Sequence, residues 1–447
     1  MHTHRESAPP EGPFKAWLQP VDTSSLGVFR VGLGLLFVYK AWHNLSAGRI
    51  ARTLNPDQWH VPWPGFDFIH PPELWVSVLV QLAMAVIGVL IALGVGARLW
   101  LLVVAAEMVW FQLVDQTHYL NHHFLAVIVC VTLALSPCDR VYALDQRWRN
   151  APVRAPAMGL WMLRVTVVIV YVYAGIAKLD ADWLAGRPME AWMAARAHVP
   201  VIGPLVSTPG VGTVMAWCGL FIDLVGGPAL LFRRTRGPAI LVLAAFHLSN
   251  AALFNIGIFP WMMLFVDLLF LDPDWPRRFI SGRTDDRVVV AASGWWRLPL
   301  AAWVAVQVVV PLRHHLYPGP VAWTEEGHRL SWRMMLRSKS GALQFRVVDL
   351  RTGTMHTVDV RELLSAEHAR EVMGHPDAVW TLARRLRLEA EAEGRTVAVY
   401  AHHPVSLNGR EPALLIDPAV DLSRADRHVW SAAPWILPLD PETPLAE

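Results

Sequence analysis

Cysteine is scarce, with three in 447 residues. Cys130, Cys138 and Cys218 lie in or beside apolar runs without CxxC or zinc spacing, which excludes a disulfide scaffold and a cysteine metal site. Charge is scarce as well. Only 17% of residues are charged, against about 25% in an average soluble domain. Lys and Arg number 39 and Asp and Glu 37, leaving a net charge of +2. That balance offers no basic footprint, so no nucleic acid is expected as a partner. Tyrosine is rare, at 7 beside 22 tryptophans, a bias that suits membrane–water interfaces. Apolar residues make up 54% of the chain, too much for disorder to be its main state. The expected partner is a lipid bilayer.

A transmembrane helix needs roughly 20 mostly apolar residues. The polar N-terminus lacks a basic segment followed by a short apolar one, so no cleaved signal is expected. Spans are expected at Leu26–Trp42, Leu74–Ala97, Leu99–Val114, Asn121–Pro137, Met158–Ala177 and Val211–Phe232. The charge-free run Gly237–Val266 breaks at GIFP (Gly257 to Pro260) into a seventh and an eighth, and a ninth covers Leu298–Leu312. Arg98, Arg140, Arg147, Arg149, Arg154, Arg233, Arg234, Arg236, Arg277, Arg278 and Arg283 all follow even-numbered spans. Basic loops stay cytoplasmic. The expected fold is thus a multi-pass α-helical protein of the cell membrane, with about nine transmembrane helices. Residues 1–20 form a polar cytoplasmic tail, 21–312 the transmembrane domain and 313–447 a small extracytoplasmic α+β domain. In that domain Gln344–Leu350 and Met355–Val360 read as a hairpin, Ser365 as a helix cap and Pro376–Glu393 as a helix closed by Gly394. TVAVYAHH reads as a further strand.

Ionisable groups inside spans are functional candidates by default. Arg30, Arg164 and Arg297 lie near cytoplasmic ends, where long side chains snorkel; Glu107, Asp223 and Asp267 are expected to pair with such arginines. More polar groups gather toward the outer side, in DQTHYLNHHF (Asp115 to Phe124), YAGIAKLDADWLAG (Tyr173 to Gly186) and FHLSNAALFNIGIFPW (Phe246 to Trp261). These segments bring Asn121, His122, Lys178, His247 and Asn250 to one depth beneath the outer domain, which is the site expectation. Lys178 reads either as a snorkelling anchor or as a desolvated general base among small residues. His122 and His247 read either as structural hydrogen-bonding groups or as catalysts. His118, His122 and His123 also match one HxxxHH box of membrane di-iron oxygenases and desaturases, a centre that needs several boxes. A transporter or a structural membrane protein is the other alternative, disfavoured because no internal repeat is visible.

These segments resemble the vitamin K-dependent gamma-glutamyl carboxylase family, in particular its bacterial members with a horizontally transferred transmembrane (HTTM) domain. The likeness runs in order through VDTSSLGVFRVGLGLL, LNHHFL, AGIAKLDADW, FHLSNAALFNIGIF, WTEEGHRLSWRMMLRSK and SLNGREPALLIDPAVDL. The resemblance implies a cofactor for the hard step, reduced vitamin K or menaquinol, with dioxygen and carbon dioxide as co-substrates and no metal. Quinol oxidation to the epoxide would supply the base that deprotonates a glutamate of a peptide or protein substrate, and the carbanion would capture carbon dioxide. It implies that Lys178 deprotonates the quinol, that Asn121 and His122 position the oxygenated quinone, and that His247 handles carbon dioxide or the carbanion. Trp323, Ser331, Trp332, Met334 and Met335 correspond to the segment that holds the glutamyl group. Arg337 and Lys339 stand where animal members have His and Arg, a change that still suits a carboxylate. The chain is expected to lack most of the propeptide-binding region of the animal enzymes.

Overall fold

The structure, a computed structural model, describes residues 17–447 apart from 201, 285–286, 288–296, 428–429, 441 and 447. Most of the polar tail and the side chain of Arg297 lie outside the described residues. Each expected apolar segment forms a helix: α1 (Ser24–Ser46), α2 (Leu74–Leu93), α3 (Ala97–Val114), α4 (Asn121–Leu135) and α5 (Met158–Ala177). α6 (Val211–Phe221) continues through a π-helical turn, Ile222–Gly226, to Ala229. α7 (Arg236–Leu253), α8 (Phe259–Asp267) and α9 (Arg297–Val309) complete the set. The GIFP break is real: Gly257 takes a positive φ of 58° and Pro260 opens α8.

Six of these helices, α1, α2, α3, α5, α6 with its extension, and α7, are long and apolar enough to cross a membrane. α4 has 15 residues and α9 has 13. At about 1.5 Å per residue, 15 residues reach about 22 Å, short of the roughly 30 Å hydrocarbon core. Among the described residues six of the nine expected spans thus reach full length and composition, and the other three are shorter helices packed among them.

The two ends of the bundle differ. At one end β1 (Pro20–Asp22) pairs antiparallel with β2 (Arg154–Pro156), Arg277 Nε donates to Asp22 at 2.7 Å, and Tyr142 Oη donates to the Ile280 carbonyl at 3.0 Å. Several arginine-rich connections thus meet there. Arg30 and Arg164 near this end do not snorkel. Arg30 is fully buried and donates to the carbonyls of Cys138, Ala92 and Tyr142; Arg164 donates to those of Leu269 and Leu271. Each tethers loop carbonyls that the ends of helices leave without partners.

The outer domain sits on the opposite end. β4 (Gln344–Asp349) is the centre of an antiparallel three-stranded sheet, between β5 (Met355–Asp359) and β6 (Val397–His402). Phe345 and Val347 alternate inward on β4 and pack with Val397 and Val399 against Ala378, Leu382 and Ala383 of α11 (Pro376–Ala392). Ser365 caps α10 (Ala366–Met373) by accepting from His368 N. A second small sheet joins β3 (Lys339–Gly341), β7 (Pro404–Leu407) and β8 (Ala413–Leu414). The core of this domain also takes Trp59 and Val61 from the connection between α1 and α2, so it is not built from residues after 312 alone.

Three buried polar contacts dock the domain on the bundle. Asp182, in the KLDADW motif, accepts from both terminal nitrogens of Arg410 at 2.5 and 2.6 Å and from Asn408 at 2.8 Å. Asp115, at the end of α3, meets His368 at 2.9 Å and accepts from Val61 N at 3.1 Å. Gln116 donates to Thr381 Oγ1 at 3.1 Å.

Candidate functional site

Between the bundle and the outer domain lies a chamber of about 610 Å³. α5, α6, α7, α8, the turn before α4 and residues 328–337 wall it. Its lining is largely apolar, from Val170, Ile222, Phe246, Phe254, Phe259 and Met263 among others. Cys218 on α6 and Val242, Ala245 and Ser249 on α7 line it and are exposed, so the chamber is open along these two helices.

Lys178 follows the last turn of α5 and is 7% exposed. Its Nζ donates to Asp223 Oδ2 at 2.6 Å. Two glycines allow this meeting. A Cβ on Gly175 would lie 2.9 Å from Leu224 N, and one on Gly227 would lie 2.5 Å from Tyr171 Cβ, so only bare backbone lets α5 and α6 approach this closely. The π turn at Ile222–Gly226 then carries Asp223 toward the lysine; such turns recur at functional sites. Asp223 thus pairs with Lys178 and not with an arginine, correcting the sequence expectation. Glu107 accepts from Gln81 at 3.4 Å, and Asp267 accepts from Tyr171; among the described residues neither of these pairs with an arginine either.

His247 is 1% exposed and lies on the chamber wall. Tyr171 Oη is 2.7 Å from its Nε2 and donates to both Asp267 oxygens at 3.2 and 3.3 Å. With the phenolic proton directed to the carboxylate, Nε2 carries the ring hydrogen and donates to the phenol oxygen. Nδ1 is then an acceptor, and it has no partner among the described residues. His122 makes no side-chain hydrogen bond among them, and its ring and that of His247 both lie 5.9 Å from the ring of Phe259. Asn250 lines the chamber with its amide likewise unengaged among the described residues.

Asn121 lines the chamber too, but its amide is engaged. Its Oδ1 accepts from Tyr119 Oη at 3.0 Å, its Nδ2 donates to the Arg333 carbonyl at 3.1 Å, and Tyr119 Oη accepts from Leu330 N at 2.7 Å. Burial pushes the Tyr119 phenol up, so it stays a donor. Asn121 and Tyr119 therefore hold the outer segment down on the bundle. In that segment Met334, Met335 and Arg337 line the chamber. Trp323, Ser331 and Trp332 do not. Trp323 is fully buried in the outer core and donates to the Leu437 carbonyl at 2.8 Å. Ser331 donates to the His328 carbonyl at 2.5 Å, and Trp332 stacks on Phe124 with centroids 5.3 Å apart. These three shape the segment; they do not face the chamber.

Arg337 grips Glu325 in a bidentate pair, and Lys339 Nζ donates to the same carboxylate at 2.8 Å. Burial pushes the Glu325 carboxyl up, but the charges of Arg337 and Lys339 outweigh it and hold it well below the usual range. One anion faces two cations, and burial brings Lys339 down to about 8 despite Glu325. His375, on the same wall, is lowered by burial to about 4 and is neutral at pH 7.

The HxxxHH box does not converge. His118 stacks on Phe111 at 4.4 Å with its Nδ1 3.2 Å from that carbonyl, whereas His122 faces the chamber. Among the described residues no group of three or more His, Cys, Asp or Glu side chains could hold a metal ion. Sequence reasoning missed Tyr171, Tyr119, Glu325 and Arg333; the first two carried no signal beyond being rare tyrosines beside motif residues.

Comparison with known families gives two matches. Residues 18–275 match the family model described as HTTM domain, and residues 293–442 match that described as vitamin K-dependent gamma-carboxylase, lumenal domain. No solved structure matches the chain.

Proposed function

The chain belongs to the vitamin K-dependent gamma-carboxylase family with an HTTM domain, and we propose that it carboxylates glutamate residues of a peptide or protein, coupled to quinol epoxidation. One observation carries this reading: Lys178, His122, His247 and Asn250, from three separate segments, meet in one largely apolar chamber capped by the outer domain. The chamber fits a reduced naphthoquinone. Its size is within the roughly 300–1,000 Å³ of ligand sites, its walls are aromatic and aliphatic, and His247 Nδ1 is a buried polar atom without a partner among the described residues. The opening along α6 and α7 suits a ligand that reaches the site from the bilayer. Phe246, Phe254, Phe259 and Met263 would hold the ring system, with His122, Asn250 and His247 at its polar edge.

Bound vitamin K hydroquinone or menaquinol, with dioxygen, supplies a base stronger than any side chain. The protein's own part is proton handling and exclusion of water. Lys178 and Asp223 act as one base: Nζ passes its shared proton to Oδ2 as it takes one from a ligand hydroxyl, which leaves Lys178 charged and Asp223 neutral. The added positive charge faces whatever negative charge forms in the chamber. His247, fixed by Tyr171 and Asp267, presents Nδ1 as an acceptor. Apolar walls favour carbon dioxide over water as the group that meets a carbanion. Met334 and Met335 offer an adaptable surface for a peptide. In the bilayer, α4, α8 and α9 complete the crossings, with the N-terminus cytoplasmic and the outer domain extracytoplasmic.

The test is chromatographic: purified protein with reduced naphthoquinone and air should accumulate the epoxide. Quinone alone, at the rate of a protein-free control, would reject the reading.

A further inference from the structure

We propose that Arg333 is the residue that holds the acidic side chain of the substrate in the chamber. The proposal rests on the carboxylase reading and replaces the expectation that Arg337 makes this contact.

Three cationic side chains line the chamber: Lys178, Arg333 and Arg337. Lys178 is paired with Asp223, and Arg337 is gripped by Glu325, which also takes Lys339. Arg333 makes no side-chain hydrogen bond or ion pair among the described residues. Asp180 and Glu325 act on its guanidinium by charge, and neither forms an ion pair with it. A half-buried guanidinium without a bonded partner among the described residues keeps its full fork of donors, and that fork matches a carboxylate in two parallel bonds.

The backbone, not a salt bridge, fixes where Arg333 sits. Leu330, Trp332 and Met335 take left-handed φ values of 65°, 56° and 48°, a rare density for residues that carry a Cβ. Strain of this kind persists only where the surroundings enforce it, and it concentrates at ligand-holding sites. Here Trp332 is locked on Phe124 and the Arg333 carbonyl is held by Asn121. The two anchors flank the Arg333 side chain at the chamber wall, next to Met334 and Met335. An acidic side chain brought to this wall meets one cation whose donors are unengaged among the described residues, in the chamber that also holds the Lys178–Asp223 pair. The substrate class is therefore a peptide with an exposed carboxylate side chain, distinguished from its amide by Arg333.

The experiment measures binding without quinol, so that it does not depend on turnover. Detergent-purified full-length protein is titrated into a fluorescent Glu-containing peptide and its Gln counterpart, read by anisotropy. A charge-assisted bidentate contact predicts that the wild type prefers the Glu peptide by about tenfold or more. Arg333→Gln should erase that preference, and Arg333→Lys, which keeps charge without the fork, should keep about a third of it. If Arg333→Gln does not give a monodisperse protein, the Lys variant decides: undiminished preference overturns the proposal. It is also overturned if Arg333→Gln retains the preference, or if the wild type shows none. A preference that depends on Arg333 in a protein that adds no carboxyl group upholds the proposal and rejects the carboxylase reading instead.

Discussion

Lys178 and Asp223 are coupled tightly enough that neither has a separate role. In the proposed mechanism a proton taken from a ligand hydroxyl ends on the pair, so removing either partner would remove the base. Arginine at 178 would keep the ion pair but effectively never gives up its proton. Lys178→Arg and Asp223→Asn are therefore both expected to cut epoxide formation by about a hundredfold or more, with normal yield of membrane-inserted protein. Epoxidation close to wild type in the arginine variant would reduce Lys178 to a structural cation. Lys178, His122, His247 and Asn250 were legible as polar residues at one depth, because apolar spans make such residues conspicuous. Their partners were not. Asp223 was visible as a charge in a span, but its pairing depends on a π turn and on helix register, which hydropathy does not encode. The SWRMM string was visible too, yet Trp323, Ser331 and Trp332 turn away from the chamber. Left-handed backbone at Leu330, Trp332 and Met335 decides which side chains face it, and nothing in those residue types announces that conformation.

At the scale of elements, the α5–α6 contact positions the site. Gly175 is its critical point, since an added Cβ would meet both the side chain and the backbone nitrogen of Leu224. Gly175→Ala should push the π turn away from Lys178 and cost ~1–3 kcal/mol of stability by overpacking. A lower melting temperature in detergent, together with an epoxidation loss of about tenfold or more, is the expected outcome; an unchanged melt with full activity would contradict it. Helix existence was readable from uninterrupted apolar stretches, and the hairpin and the Ser365 cap from alternation and turn chemistry. The number of complete crossings was not, because a 15-residue apolar helix and a full span look alike until their ends are seen. The small sheet of β3, β7 and β8 escaped notice for a related reason: strands of two to four residues leave almost no pattern.

For the whole molecule, the proposed function requires the outer domain to stay docked over the chamber. Asp115, Asp182 and Glu325 lie in or beside that junction. Burial raises each of them, yet hydrogen bonds to Asp115 from His368 and His60, bonds to Asp182 from Arg410 and Asn408, and the charges of Arg337 and Lys339 beside Glu325 bring all three below their ordinary values. A carboxylate lowered in the folded state stabilises it fully above the unfolded value, and that stabilisation is lost as pH falls through the folded value. Protease resistance of the outer domain should thus hold from pH 7 down to about 4 and decline below it. Loosening already between pH 7 and 5 would contradict the assignment. Orientation follows from the arginine-rich loops gathered at the end away from this domain: a reporter fused after residue 447 should be active only outside the cytoplasm, and activity inside would invert the topology. The loop charges carry the expectation of this orientation, whereas docking through KLDADW and SLNGREP was hidden, because motif residues that join two domains read like motif residues that do chemistry. The central claim is that the capped chamber adds carbon dioxide to glutamate. Isotopically labelled bicarbonate, reduced naphthoquinone and a Glu-containing peptide, incubated with purified protein and read by peptide mass spectrometry, test it most directly. The account predicts labelled carboxyl gain on the glutamate side chain, abolished in Lys178→Arg; epoxide formation without any label in the peptide would contradict it.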